Sequence, residues 1–563
     1  MKFLLVGINS KYIHTNQALK TLSAYTESVM GPDGRPLSNH LECVEYTINQ
    51  QQEQLVSDIY QRHPDVIGIS CYIWNVSMVE KIIPTLKKLM PAVDIWLGGP
   101  EASYKAHGFD SLCRGIMRGE GERIFAKVLG AYVSGSDAVA ALPFVIEENS
   151  VMNLDDIPFP YYNQPLPENK IVYYESSRGC PFRCSYCLSS IEKTVRFRSL
   201  DLVKNELKFF LDNRVKQVKF VDRTFNINHD RTLEIWEFIQ KNDNGITNFH
   251  FEISADLLND KELLLLSKMR PGAVQLETGV QSTNATTLNA IHRFVEFQKI
   301  KANTLKIQAF RNTHQHLDLI AGLPYEDYES FGHSFDDVYQ LRPDQLQLGF
   351  LKLLQGSEMA ERADDFGIVC SDNPPYEVLY TKWLTYDDVL KLKRIEQVLE
   401  LYYNSSQYNH TLRQLEQAFS RPFELYEALS DYFRAYGYTD VSKRRLDYYE
   451  ILLAFACEKD KENSALYKEL LTLDCYLREN LKSRPSFVTR DEISREDFDR
   501  IYREAQSSGF FRDYGDVPLR TIQHMTHLEF FAVPSPHYVL FDYSCKDPIT
   551  FECRTINFPH IGP

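Results

Sequence analysis

The sequence predicts an α/β chain in three parts. An N-terminal doubly wound parallel sheet covers 1–150, a central partial (β/α)6 barrel covers 171–375, and a mainly helical part with a few terminal strands covers 376–563. Three observations predict this. Apolar strand runs alternate with helical stretches, which builds parallel sheets covered by helices. The alternation happens twice, on either side of a linker at 151–170 with the run LDDIPFP and little periodicity. Beyond 376 the apolar spacing becomes helical almost to the C-terminus. A chain of 563 residues is also too long for one core and suits roughly three domains.

In the first part, strands are predicted at 3–8, 41–47, 66–72, 94–97 and 115–117. Ligands in such sheets bind at the carboxyl ends of the strands, so the informative loops are 9–16, 70–75, 98–103 and 119–122. In the second part, strands are predicted at 172–174, 218–221, 249–254, 274–278, 317–320 and 345–350, with helices between them. A barrel of this kind places its chemistry at the strands' C-terminal ends. In the third part, helices are expected at 389–403, 412–433 and 448–477, and strands at 528–533, 538–543 and 549–553. Its tyrosines and phenylalanines, among them Tyr402, Phe433, Tyr436 and Tyr449, read as helical core in preference to a lid or base-stacking surface.

The apolar fraction of 44% and charged fraction of 25% suit a soluble globular chain. A net charge of -15 argues against broad binding to duplex nucleic acid, which needs a basic footprint. The N-terminal apolar run is too short for a secretory signal. No run approaches the roughly 18 apolar residues that cross a membrane. A cytoplasmic location is therefore expected. Eleven cysteines, an odd count, point to reduced thiols. Most read as small core hydrophobes, but three cluster within the run ESSRGCPFRCSYC at 175–187.

Those three are Cys180, Cys184 and Cys187, spaced C-x3-C-x2-C directly after the first barrel strand. A structural zinc site wants four ligands, and the next candidate along the chain is only His229. Three thiolates on a short loop fit a 4Fe–4S cluster better, holding three irons and leaving the fourth open. This loop resembles the hallmark of the radical S-adenosylmethionine (SAM) superfamily, and the resemblance runs from about Ile171 to Leu354. It implies that the open iron chelates SAM and that the reduced cluster cleaves it to a 5′-deoxyadenosyl radical. The cofactor then does the hard chemistry and the protein orients it.

Further motifs follow the superfamily's order. DRTFN at 222–226 makes Thr224 a candidate for the SAM amino group, and FHFEISA at 249–255 makes Glu252 a candidate for an ammonium or ribose hydroxyls. ETGVQS at 277–282 resembles the GVQS signature and points to Gly279 and Gln281. Arg293, twelve residues after Gln281, could pair with the SAM carboxylate. DLIAGLP at 318–324 resembles the DLIxGLP signature and makes Asp318 a ribose candidate. Tyr186 could flank the adenine. Each charged residue among these has an alternative reading as a strand-end ion pair.

The sheet domain ahead of the barrel resembles the cobalamin-binding class of the same superfamily, carried by the Gly98-Gly99 and Gly119-Glu120 turns. Small residues there let a backbone approach a ligand. The motif D-x-H-x-x-G, which supplies an axial histidine, is absent, so the lower cobalt ligand stays unassigned. Tyr12, His14, Ser70 and Tyr72, with Trp74, lie in loops that could face the corrin. The resemblance implies methyl transfer to an unactivated centre with a 4Fe–4S cluster, SAM and cobalamin. It also implies a reductant such as flavodoxin or ferredoxin. Ring closure, rearrangement or a sensor role are the alternatives, and the substrate is not legible.

Overall fold

The computed structural model describes residues 1–563 other than 106, 149, 440, 482, 489–492 and 561–563. The chain divides into two compact units. The first is Met1–Thr313, Ile320–Asp327 and Gly349–Tyr386; the second is His314–Leu319, Tyr328–Leu348 and Asp387–Pro563.

The first unit opens with strands β1 (Phe3–Asn9), β2 (Leu41–Thr47), β3 (Val66–Ser70), β4 (Asp94–Gly98), β5 (Gly115–Arg118) and β6 (Val145–Glu147). They form one parallel sheet in the order β2-β1-β3-β4-β5-β6. Every residue of β1 and of β3 is buried, because helices cover both faces of a doubly wound sheet. One face packs Leu4, Val6, Ile8, Ile67 and Ile69 beneath the helix Val76–Leu89. The other packs Phe3, Leu5 and Trp96 beneath the helix Gly121–Ser134. The sequence predicted five strands here. The sixth, β6, is three residues long and too short to carry a period-2 signal. Strand order reverses between β1 and β3, the position where such sheets bind ligands.

The second sheet contains β7 (Val172–Tyr174), β10 (Gln217–Phe220), β11 (Asn248–Ile253), β12 (Val274–Gln281), β13 (Thr313–Ala321) and β14 (Gln345–Phe350). Its order is β14-β13-β12-β11-β10-β7, and the pairs from β7 to β12 are parallel. A short ribbon, β8 (Ser177–Arg178) with β9 (Arg196–Phe197), brackets the cysteine loop. All six predicted barrel strands are present. In β12 the burial alternates strictly: Val274, Leu276, Thr278 and Val280 are buried, while Gln275, Glu277, Gly279 and Gln281 share the other face. Behind the sheet, Phe220, Phe225, Phe251 and Trp236 pack ring on ring; the Phe225 and Phe251 centroids are 4.3 Å apart.

Arg198 joins the interdomain linker to this core. It donates to the carbonyls of Leu154 and Ile157 and, through Nε, to both carboxylate oxygens of Glu206 at 3.0 and 2.9 Å. Tyr174 donates to the same carboxylate at 2.6 Å. Glu206 is almost fully buried, so losing its arginine leaves a buried charge unpaired. Arg198→Met should therefore destabilise the protein by about 3–5 kcal/mol, read as a lower denaturant midpoint at unchanged slope.

Within the first unit, residues 349–386 carry the ribbon β15 (Val369–Cys370) with β16 (Val378–Tyr380) and a small core around Leu351, Met359 and Phe366.

The second unit is mainly helical, with an antiparallel sheet of β17 (Thr526–Phe531), β18 (His537–Lys546) and β19 (Cys553–Pro559). Tyr402, Tyr408, Tyr426, Tyr449, Tyr467 and Tyr476 are fully buried, so most of the aromatic signal is core; Tyr436 stays exposed. Three expectations are corrected here. The helix expected at 412–433 is two, Asn409–Leu415 and Pro422–Ala435, because Pro422 can start a helix but not continue one. The helix expected at 448–477 is also two, Arg445–Lys459 and Ser464–Arg478, with Asp460 as a non-helical cap between them. The strand expected at 549–553 begins only at Cys553, since Asp547 holds the amides of Ile549 and Thr550 in a turn. Among the described residues no helix is long and apolar enough to cross a membrane.

Candidate active site

β7 runs into the cysteine loop through Ser176 and Ser177, and a fully buried carboxylate pins both. Asp222, at the end of β10, accepts from the Ser176 amide at 2.8 Å, the Ser176 hydroxyl at 2.6 Å and the Ser177 hydroxyl at 2.7 Å. Burial pushes the Asp222 carboxyl upward and these donors oppose the shift. Gly179 follows with φ 97°, and a Cβ there would lie 2.1 Å from the Thr194 carbonyl oxygen. Only glycine suits that turn.

Cys180 and Cys184 are buried and Cys187 is half-buried. The Cys180 Sγ lies 3.7 Å from the Thr224 hydroxyl. Arg293 donates from Nη1 to the Cys184 Sγ at 3.5 Å and from Nη2 to the Gly279 carbonyl. Ser185 N–H donates to the Ile291 carbonyl at 3.0 Å, which ties the loop to the segment after β12. Burial pushes the Cys180 thiol up, and the other two thiols push it the same way, so the three sulfurs sense one another. Burial also raises the Tyr186 hydroxyl beside them.

The structure thus groups Cys180, Cys184, Cys187, Tyr186, Thr224, Gly279 and Arg293. Gln281 flanks Gly279 on the same face of β12 and holds a positive φ of 72°. Glu252 pairs in register with Glu277 across β11 and β12. Asp318 lies on β13 in the second unit, its Oδ1 2.9 Å from His316 Nε2. Three buried polar atoms around the thiols lack any protein partner: Ser185 Oγ, Gln281 Oε1 and Arg293 Nε. Such atoms are rarely left unpaired, so they fit a polar ligand beside the thiols. Three thiols, with no fourth beside them among the described residues, fit a cluster with an open iron.

A cavity of about 560 Å3 extends from this loop to the first sheet. The turns after β3, β4 and β5 line it through Ser70, Tyr72, Gly98, Gly99, Gly119 and Glu120, while Arg178, Gly179 and Leu188 line it from either side of the cysteines. Leu5, Ile69, Met117 and Phe125 form its apolar floor. At Gly119 a Cβ would meet nothing within 4 Å, so that turn offers bare backbone to a ligand. Gly99, with φ 97°, packs so closely that a Cβ would sit 2.5 Å from the Cys71 carbonyl oxygen.

Two predicted cofactor residues lie elsewhere. Tyr12 is 69% exposed, with the Lys170 ammonium 4.7 Å from its ring centroid. His14 Nδ1 is 2.6 Å from the Tyr173 hydroxyl at the barrel edge, and burial, with Lys11 and Lys219, holds its pKa below the ordinary value. Neither lines the cavity, and among the described residues no histidine does. Trp74 stacks on Tyr72 at 4.4 Å, so one ring of that pair supports the ring that lines it. Sequence reasoning missed Glu122, Glu175 and Arg178; the second glutamate of GEGE and the arginine of SRGC were the available signals.

Inside the barrel, Glu277 holds a further polar cluster. Its carboxylate lies 2.8 Å from Lys219 Nζ and 2.9 Å from His250 Nε2. Burial alone would raise its pKa, but these two partners outweigh burial and hold it well below the usual carboxylate range.

Comparison with known proteins finds a family for each of the two regions that carry these residues. Residues 4–129 match the B12 binding domain and residues 174–338 match the radical SAM superfamily. The chain is a B12-binding radical SAM enzyme. Its cofactors are a 4Fe–4S cluster, SAM and cobalamin. Residues 364–540 match a family described only as a protein of unknown function (DUF4080). An uncharacterised methyltransferase of Pyrococcus horikoshii is 24% identical over 363 residues, 60% of this chain and 77% of that one. The cobalamin-dependent radical SAM methyltransferase TokK of Streptomyces tokunonensis is 26% identical over 318 residues, 48% of this chain. The match spans only 44% of the length of TokK. The fold is shared with the methyltransferase TsrM of Kitasatospora setae, solved with cobalamin and a [4Fe-4S] cluster. The TM-score is 0.53 at 16% identity, over 67% of this chain and 82% of that one.

Proposed function

We propose that this B12-binding radical SAM enzyme transfers a methyl group to an unactivated carbon or phosphorus centre. The supporting observation is that one cavity is lined by the turns of the B12-binding sheet and by residues flanking the cysteine loop. Cys180, Cys184 and Cys187 hold the cluster in this reading. When bound, the cluster supplies one electron to SAM and cobalamin supplies the methyl group.

The chain's own residues bind, orient and exclude water. Arg293, anchored on the Gly279 carbonyl beside the Cys184 thiol, would pair its guanidinium with the SAM carboxylate. Thr224, Glu252 and Gln281 complete the SAM contacts in this reading. Ser70, Tyr72, Gly98, Gly99, Gly119 and Glu120 hold cobalamin, with the apolar floor keeping water from the reacting centre. A flavodoxin or ferredoxin serves as electron donor, and the cytoplasm is the proposed location.

The test is anaerobic. Protein-bound cobalamin, reduced with titanium(III) citrate, receives SAM carrying a deuterated methyl group. Label should appear on cobalt one-for-one with S-adenosylhomocysteine. SAM cleaved to 5′-deoxyadenosine with no label on cobalt would sink methyl transfer and favour ring closure or rearrangement. A chain that binds all three cofactors and never cleaves SAM would be a sensor.

His14 gives a second prediction. Its Nδ1 is engaged by Tyr173 away from the cavity, so His14→Ala should leave the visible spectrum of bound cobalamin unchanged. A shifted cobalt band would place an imidazole on the metal after all.

A further inference from the structure

Arg178 stands two residues before Cys180, and its guanidinium is enclosed by three carboxylates. It donates from Nε to Glu175 Oε1 at 3.0 Å and from Nη2 to Glu175 Oε2 at 2.7 Å, a bidentate pair within the barrel segment. It donates from Nη1 to Glu120 Oε1 at 3.0 Å and from Nη2 to Glu122 Oε1 at 2.9 Å. Glu120 lies in the turn after β5, and Glu122 stands in the first turn of the helix that follows. Arg196, across the β8–β9 ribbon, also pairs with Glu120 and donates to the Met152 carbonyl at 2.6 Å. Glu120, Glu122, Glu175 and Arg178 all line the cavity.

Guanidinium has five donors in a rigid planar fork, so such a contact transmits position and not charge alone. Glu122 is buried, so parting it from Arg178 would strand a buried carboxylate. On the other side, Gly179 joins Arg178 to Cys180 in a turn pressed against the Thr194 carbonyl, where the backbone has no room to absorb a shift. The turn that a cavity ligand touches is thus linked to the first cysteine by one side chain and one glycine.

We propose that Arg178 is a positioning residue that couples occupancy of the cobalamin cavity to the geometry and potential of the iron–sulfur cluster. It touches neither reacting atom; it acts through Cys180. Linkage makes the coupling reciprocal: cobalamin shifts the cluster's oxidised-to-reduced ratio, and reduction of the cluster changes cobalamin affinity by the same factor. The inference rests on the cofactor set and not on methyl transfer, so it survives if the reaction proves different.

The test uses the full chain with its cluster reconstituted. The midpoint potential is measured by EPR redox titration with and without methylcobalamin, whose Co(III) is EPR-silent. The expected coupling is about five-fold, some 40 mV at about 59 mV per tenfold for one electron. Arg178→Lys keeps the charge and loses the fork. It should abolish the difference while retaining iron and cobalamin. A through-space effect of cobalamin would persist in Arg178→Lys and would overturn the proposal, as would a wild-type potential indifferent to cobalamin. If Arg178→Lys fails to fold, Glu122→Gln, which keeps the shape of the contact and weakens it, is read in its place with the same two outcomes.

Discussion

Cys184→Ala should remove the iron–sulfur absorbance and lower 5′-deoxyadenosine formation by at least about 10³-fold, because in the proposed reading the cluster is what passes an electron to SAM. Of the three cysteines, Cys184 is the one that receives the Arg293 guanidinium, at 3.5 Å. Its loss therefore removes a proposed iron ligand and also frees the arginine proposed to meet the SAM carboxylate. Cobalamin binding should persist, since Cys184 does not line the cavity. Iron analysis, the cobalamin spectrum and product quantification on one anaerobic preparation separate these effects. Iron retained in full by the variant would contradict the assignment of the ligand set.

Gly179→Ala should have the second largest effect, and for a purely steric reason. The residue has φ 97°, a region that costs a non-glycine residue about 1–3 kcal/mol, and its Cβ would lie 2.1 Å from a backbone oxygen. Backbone cannot step aside as a flexible side chain can, so the turn must move and Cys180 with it. At 1.36 kcal/mol per tenfold, strain of that size predicts a loss of about 5- to 150-fold in SAM cleavage. The far-ultraviolet circular dichroism should stay native. Gly108→Ala is the control, because nothing lies within 4 Å of its added Cβ and its φ is not positive. Equal activity in the two variants would mean that the turn is not strained.

The cysteine spacing, the order of the motifs and the two alternating patterns were legible because each is local. A strand of four or more residues and a loop of eight announce themselves by period and by residue type. Glu277, Gly279 and Gln281 could be placed on one face of β12 by parity alone, and the structure does so. Legibility failed where the deciding contact was distant. β6 is too short to show a period. Pro422 interrupts what otherwise reads as one amphipathic helix.

His14 shows the limit most clearly. An imidazole in the first loop of a ligand-binding sheet is a reasonable metal candidate from sequence. The partner that occupies it, Tyr173, lies 159 residues away. Arg178 shows the converse. Beside three cysteines it reads as one more charged residue of a loop, and only tertiary structure brings Glu120 and Glu122 to it across more than fifty residues. The sequence by itself determined the cofactor class, because a cluster ligand set is short-range covalent chemistry written in neighbouring residues. The tertiary structure decided which side chains face the cavity and which are held elsewhere, because burial and ion pairing depend on segments that no local pattern relates.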